Sequence, residues 1–155
     1  MKNIYLIKKI LLTTIIALIV LVNPVEAKYG KNKVQYRGMD WSYIQTPHFD
    51  VYFYDGGESI AEFAANVAEK SYEQISYQLD WRISKRISVL VYNSHNDFQQ
   101  TNVTLGYLQE GIGGFTELFK NRVVLPFEGS YEQFRHVLHH ELTHAVVNDL
   151  IFGGN

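Results

Sequence analysis

The chain has 155 residues, with 14 Lys and Arg against 16 Asp and Glu, and it contains no cysteine. This length is enough for one modest domain, and the mildly acidic balance without a basic run argues against a nucleic-acid-binding protein. Because disulfides are excluded, the stability of the fold has to come mainly from a hydrophobic core.

The first 27 residues have the three parts of a secretory signal. Lysines within the first nine residues form a basic start, and a largely apolar run follows from residue 10 to residue 22. Val25-Glu26-Ala27 resembles a small-residue cleavage site, so we predict cleavage after Ala27 and export to the periplasm, the cell envelope or the outside of the cell. The apolar run is short for a bilayer span, so we expect no stable membrane span after cleavage; a retained anchor is the alternative.

Residues 28–46 are polar and lack periodicity, so we predict an irregular lead-in, followed by one domain over residues 47–155. Between Phe49 and Tyr54 apolar and polar residues alternate, which indicates a strand. Residues 58–79 carry apolar side chains at spacings of three and four, which predicts a helix.

A second strand is predicted at residues 87–92, where the run is largely apolar and therefore typical of the centre of a sheet. Residues 93–99 indicate a short helix or turn. A hairpin is then predicted, with strands at residues 115–119 and 122–125. Because proline is tolerated at a sheet edge, Pro126 favours an open edge formed by Val123, Val124 and Leu125, to which an extended peptide substrate could add. An ordinary hairpin without a ligand is the alternative.

A long helix is predicted from Tyr131 to Leu150. Ser130 is a good N-cap, Gln133 completes a capping-box pattern, and glycines 153 and 154 end the helix. The helix contains apolar residues at the helical spacing, so one of its faces is expected to lie in the core.

Residues 140–144 of this helix read His-Glu-Leu-Thr-His. Histidines four residues apart lie one above the other on a helix face, so His140 and His144 can bind one Zn²⁺, while Glu141 lies beside them and faces a zinc-bound water. A chance occurrence of this pattern in an ordinary helix is the alternative. We predict that His140 and His144 are metal ligands and that Glu141 is the general base of a zinc hydrolase.

Two further histidines lie close to this motif. His136, His140 and His144 form a stripe, but its outer members are separated by about 12 Å along a straight helix, too far to share one zinc. His136 with His140 is an alternative ligand pair, although no acid lies correctly between them. His139 lies off the stripe and is expected to pack or to orient a ligand rather than to bind the metal.

A catalytic zinc usually has three protein ligands, of which two are visible here. The extended metzincin pattern is excluded because Val147 and Leu150 stand where it needs Gly and His. Asp149 faces away from His144 on the helix. We therefore expect the third ligand and the oxyanion stabiliser beyond Asn155, in a longer protein of which this chain is an N-terminal piece or an early-terminated version. The less usual alternative is a third ligand from an acid earlier in the chain, either Glu110 or Glu117.

Several ordered segments resemble the peptidase-MA-like gluzincin domain of bacterial envelope proteins. They are residues 46–52, 92–98, 113–117, 121–127 and the His-Glu-Leu-Thr-His helix. The resemblance implies a thermolysin-like zincin, with zinc bound by His140 and His144 and with Glu141 as base. In that family a Tol-type β-propeller typically follows, so the resemblance also implies a propeller downstream.

The overall expectation is an α+β domain that forms the N-terminal half of a thermolysin-like zincin. A small mixed sheet with an edge hairpin should pack on the helix that carries the metal motif and on one other long helix. The expected function is zinc-dependent hydrolysis of a peptide or protein substrate. The alternative is a catalytically inactive or fragmentary envelope module that binds protein partners, with or without zinc.

Overall fold

The computed structural model describes residues 38–101, 111 and 113–153, which form an α+β arrangement of one mixed sheet and three helices. The predicted signal segment at residues 1–27 lies outside the described residues, as does the first part of the predicted lead-in. Among the described helices, none combines the length and the apolar character that a bilayer span needs.

The described strands are β1 (Trp41–Gln45), β2 (Phe49–Tyr54), β3 (Ile87–Tyr92), β4 (Phe115–Glu117) and β5 (Arg122–Pro126). They form one sheet in the order β1-β2-β3-β5-β4. The inner strands β2, β3 and β5 are parallel, and β1 and β4 are antiparallel to their neighbours. The centre is a row of valines, because Val89 lies opposite Val51 on one side and Val123 on the other, all fully buried.

Two long helices, α1 (Glu58–Leu79) and α3 (Tyr131–Phe152), share the main hydrophobic core with one face of the sheet. The short helix α2 (His95–Gln99) contributes Phe98 to a smaller cluster on the other face. Along β5 the side chains alternate between the two clusters, so the strand is buried on both faces, as expected for a parallel inner strand.

Helix α3 is capped by a side chain at its N-terminus and by a glycine at its C-terminus. The Ser130 hydroxyl accepts a hydrogen bond from the Gln133 N–H at 3.3 Å, which confirms the predicted N-cap. The helix continues to Phe152, two residues past the predicted end, and Gly153 follows as its C-cap. The other predicted long helix and the strands at residues 49–54 and 87–92 are also confirmed.

Two predictions are wrong. The lead-in is not irregular over Trp41–Gln45, because these residues pair with β2 as the edge strand β1. Val123, Val124 and Leu125 do not form an open edge: β5 lies between β3 and β4, and all three side chains are fully buried. Pro126 is the last residue of the strand, so its missing N–H leaves the rest of the ladder intact. The edge strand of the hairpin is β4.

Candidate metal centre

Helix α3 presents His140 and His144 on an exposed face, with their rings directed toward each other. The two Nε2 atoms are 3.1 Å apart, the ring centroids are 4.7 Å apart, and the ring planes cross at 82°. This arrangement follows from the spacing of four residues, which stacks the two side chains on successive turns. The predicted ligand pair is therefore brought together.

The separation of the two nitrogens fits a shared metal ion. A zinc ion bound at about 2.1 Å from each nitrogen with tetrahedral angles places them about 3.4 Å apart, within a few tenths of an ångström of the observed 3.1 Å. The same separation allows one imidazole N–H to donate to the other ring nitrogen. Among the described residues, no group of three or more His, Cys, Asp or Glu side chains is arranged to hold a metal.

Glu141 lies beside the histidines in sequence but is directed toward the sheet. Its side chain is buried, with 8% of the residue exposed. The Thr116 hydroxyl of β4 lies 2.7 Å from Glu141 Oε2 and 2.9 Å from the Glu141 backbone carbonyl oxygen. A buried carboxylate needs such a donor, because burial without one is costly. The edge strand therefore holds the acid of the motif in place.

The hairpin β4–β5 runs alongside the metal motif. Asn148, one turn beyond His144, donates from its side-chain amide to the Leu118 carbonyl oxygen at 2.9 Å and to Asn121 Oδ1 at 3.3 Å. Asn121 has φ of +49°, a left-handed conformation that asparagine tolerates better than most residues. One side of β4 pairs with β5, and within the described residues no strand pairs with its other side.

The two further histidines lie on a different surface. His136 and the partly buried His139 line a groove of about 900 Å³ between α1 and α3, which also includes Lys70 and Arg135. The ring of His140 is paired with His144 and not with His136. Neither His140 nor His144 lines this groove.

The upstream acids proposed as alternative ligands are placed differently. Glu117 forms an ion pair with Arg122, with 3.1 Å between Oε2 and Nε, and both of its carboxylate oxygens are within 3.3 Å of the Lys120 N–H. The Glu117 carboxylate therefore binds groups of the β4–β5 hairpin itself. Glu110 lies outside the described residues.

Two side-chain contacts of α3 were not predicted from the sequence. Thr116 contacts Glu141 across 25 positions, and no local pattern points to that contact. Asp149 is buried and accepts hydrogen bonds from the Trp81 indole and from Ser84, which join the end of α3 to the segment after α1. The sequence does contain an indication that Asp149 is buried, because the apolar periodicity of the helix places position 149 on its core face.

Comparison of the chain with protein-family models, with characterised proteins and with solved structures finds no match. The geometry of the histidine pair and of Glu141 is therefore the basis for a functional assignment.

Proposed function

We propose that this protein is an exported zinc-dependent metallopeptidase of the gluzincin kind, in which His140 and His144 bind Zn²⁺ and Glu141 is the general base. The observation that carries the proposal is the facing pair of imidazoles, with 3.1 Å between the Nε2 atoms. A mixed sheet with an antiparallel edge strand beside α3, and a second long helix in the same core, supports a thermolysin-like arrangement.

In the proposed mechanism Glu141 is the general base. Oε2 is held by Thr116, so Oε1 is the oxygen left to accept a proton from an attacking water. When bound, zinc supplies Lewis-acid polarisation of the scissile carbonyl and acidifies a coordinated water to a pKa of about 7. Glu141 then passes the proton to the leaving amine as the peptide bond breaks. A third ligand and a donor to the oxyanion come from outside the described residues.

The side of β4 with which no described strand pairs is the proposed binding site for the substrate backbone. An extended peptide can add to an exposed strand by backbone hydrogen bonds. Because Thr116 of β4 contacts Glu141, a peptide paired with this strand would lie close to the proposed base. This surface replaces residues 123–125 of β5, which are enclosed between two strands. Export to the periplasm or cell envelope and a downstream β-propeller remain predictions from the sequence.

The proposal is tested with purified protein, zinc analysis and a quenched fluorescent peptide library. Glu141→Gln should keep one zinc per chain and lose hydrolysis by at least about 100-fold, because it removes the base and leaves the ligands. His140→Ala and His144→Ala should both lose the metal. His136→Ala is the matched control and should keep zinc, because His136 lies on the groove between α1 and α3.

Each result has a defined meaning. Turnover retained by Glu141→Gln refutes its role as base, and stoichiometric zinc in a variant of either ligand histidine counts against that ligand. Loss of zinc in the His136 variant together with its retention in the His144 variant would favour the alternative ligand pair. Zinc binding without any hydrolysis by the unaltered protein would favour a non-catalytic module that binds protein partners.

A further inference from the structure

The contact between Thr116 and Glu141 has one donor and two acceptors. A threonine hydroxyl carries a single proton, yet Glu141 places two oxygens within its reach, Oε2 at 2.7 Å and the backbone carbonyl at 2.9 Å. Both distances are within the range of an O–H···O hydrogen bond. The carbonyl oxygen is a second acceptor that the same proton reaches by rotation of the hydroxyl.

The position of Thr116 is independent of Glu141. It lies in the middle of β4, where it is paired with Val123 of β5, and Val123 is fully buried. The turn after β4 is fastened to α3 by Asn148. The hydroxyl is therefore presented by a backbone that is held by the pairing with β5 and by the turn that follows β4, and such a backbone can orient a flexible glutamate side chain.

We propose that Thr116 is a positioning residue for Glu141 and fixes which carboxylate oxygen acts as the base. This inference rests on the proposed function. The Thr116 hydroxyl donates to Oε2, which leaves Oε1 as the oxygen that accepts the proton of the attacking water when the O–H bond of that water breaks.

Thr116→Val is the test, because it replaces the hydroxyl by a methyl group of similar size and valine suits a strand. We expect kcat to fall about 10- to 100-fold, with KM and zinc content within about twofold of the unaltered protein. Thr116→Ser restores the hydroxyl and should recover kcat to within about threefold. Thr143→Val is the matched control, because its hydroxyl donates to the His139 carbonyl oxygen and does not contact Glu141.

A kcat for Thr116→Val within about twofold of the unaltered protein would overturn the inference, as would a serine variant as slow as the valine variant. If the unaltered protein binds zinc but hydrolyses nothing, the proposed function fails. Crystal structures of the variants then test separately whether Thr116 positions the Glu141 carboxylate. A Glu141 carboxylate displaced by more than about 0.5 Å in Thr116→Val, and restored in Thr116→Ser, supports it. An undisplaced carboxylate overturns it.

Discussion

Replacing Asp149 by alanine should lower the free energy of unfolding by about 3 kcal/mol. Asp149 Oδ2 accepts from the Trp81 indole N–H at 3.0 Å and from the Ser84 backbone N–H at 3.2 Å, and Oδ1 accepts from the Ser84 hydroxyl at 3.3 Å. Hydrogen bonds to a charged group contribute about 1.5–3 kcal/mol each. In the alanine variant the Ser84 hydroxyl can rotate and donate to water instead. The expected loss is therefore that of the two hydrogen bonds donated by the Trp81 indole N–H and the Ser84 backbone N–H, each taken at the low end of this range.

The loss is measured by urea unfolding followed by circular dichroism, with the slope of the transition checked for constancy. Asp149→Asn is the matched control: its amide keeps one carbonyl oxygen as an acceptor, so it should cost about half as much. Zinc content should be unchanged in both variants, because Asp149 contacts Trp81 and Ser84 rather than the histidine pair. A loss below about 1 kcal/mol for Asp149→Ala would refute the reasoning.

Two further predictions concern pH. Burial favours a higher pKa for Glu69, but hydrogen bonds from Thr46 and His48 outweigh it and hold this pKa below its usual 4.5. The stability that Glu69 contributes is present above its unfolded-state pKa and is lost as pH falls through its folded-state pKa. In urea titrations at stepped pH, Glu69→Gln should therefore lose less stability than the unaltered protein below about pH 5. An unchanged loss of stability in this acid range would contradict the prediction. Burial and the hydrogen bond to Asp97 raise the pKa of Tyr54 well above 10.0. The stability that Tyr54 contributes is fully present below pH 10 and is lost as pH rises. Tyr54→Phe should therefore lower the free energy of unfolding by about 1 kcal/mol at neutral pH and reduce the loss of stability at alkaline pH. A loss of stability at alkaline pH as steep as that of the unaltered protein would count against this prediction.

Local patterns were sufficient for most elements of this fold. Alternation over residues 49–54 and the helical spacing over residues 58–79 predicted a strand and a helix at the positions where they occur. The His140 and His144 pair was likewise predictable, because a spacing of four residues stacks two side chains on any straight helix, whatever surrounds it. Periodicity depends only on neighbours in the chain, which is why these features needed no tertiary information.

The order of the strands and the partners of the site were decided by the tertiary structure. Pro126 suggested an edge for β5, but pairing with β3 and β4 placed that strand inside the sheet. Glu141 was expected to act with the histidines, yet its hydrogen-bond partner is Thr116 on a separate strand, and the partners of Asp149 lie 65 and 68 residues away. By itself the sequence determined which residues share a helix face. Which strand lies at the edge, and which buried carboxylate receives which donor, depend on contacts between distant segments that exist only once the chain has folded.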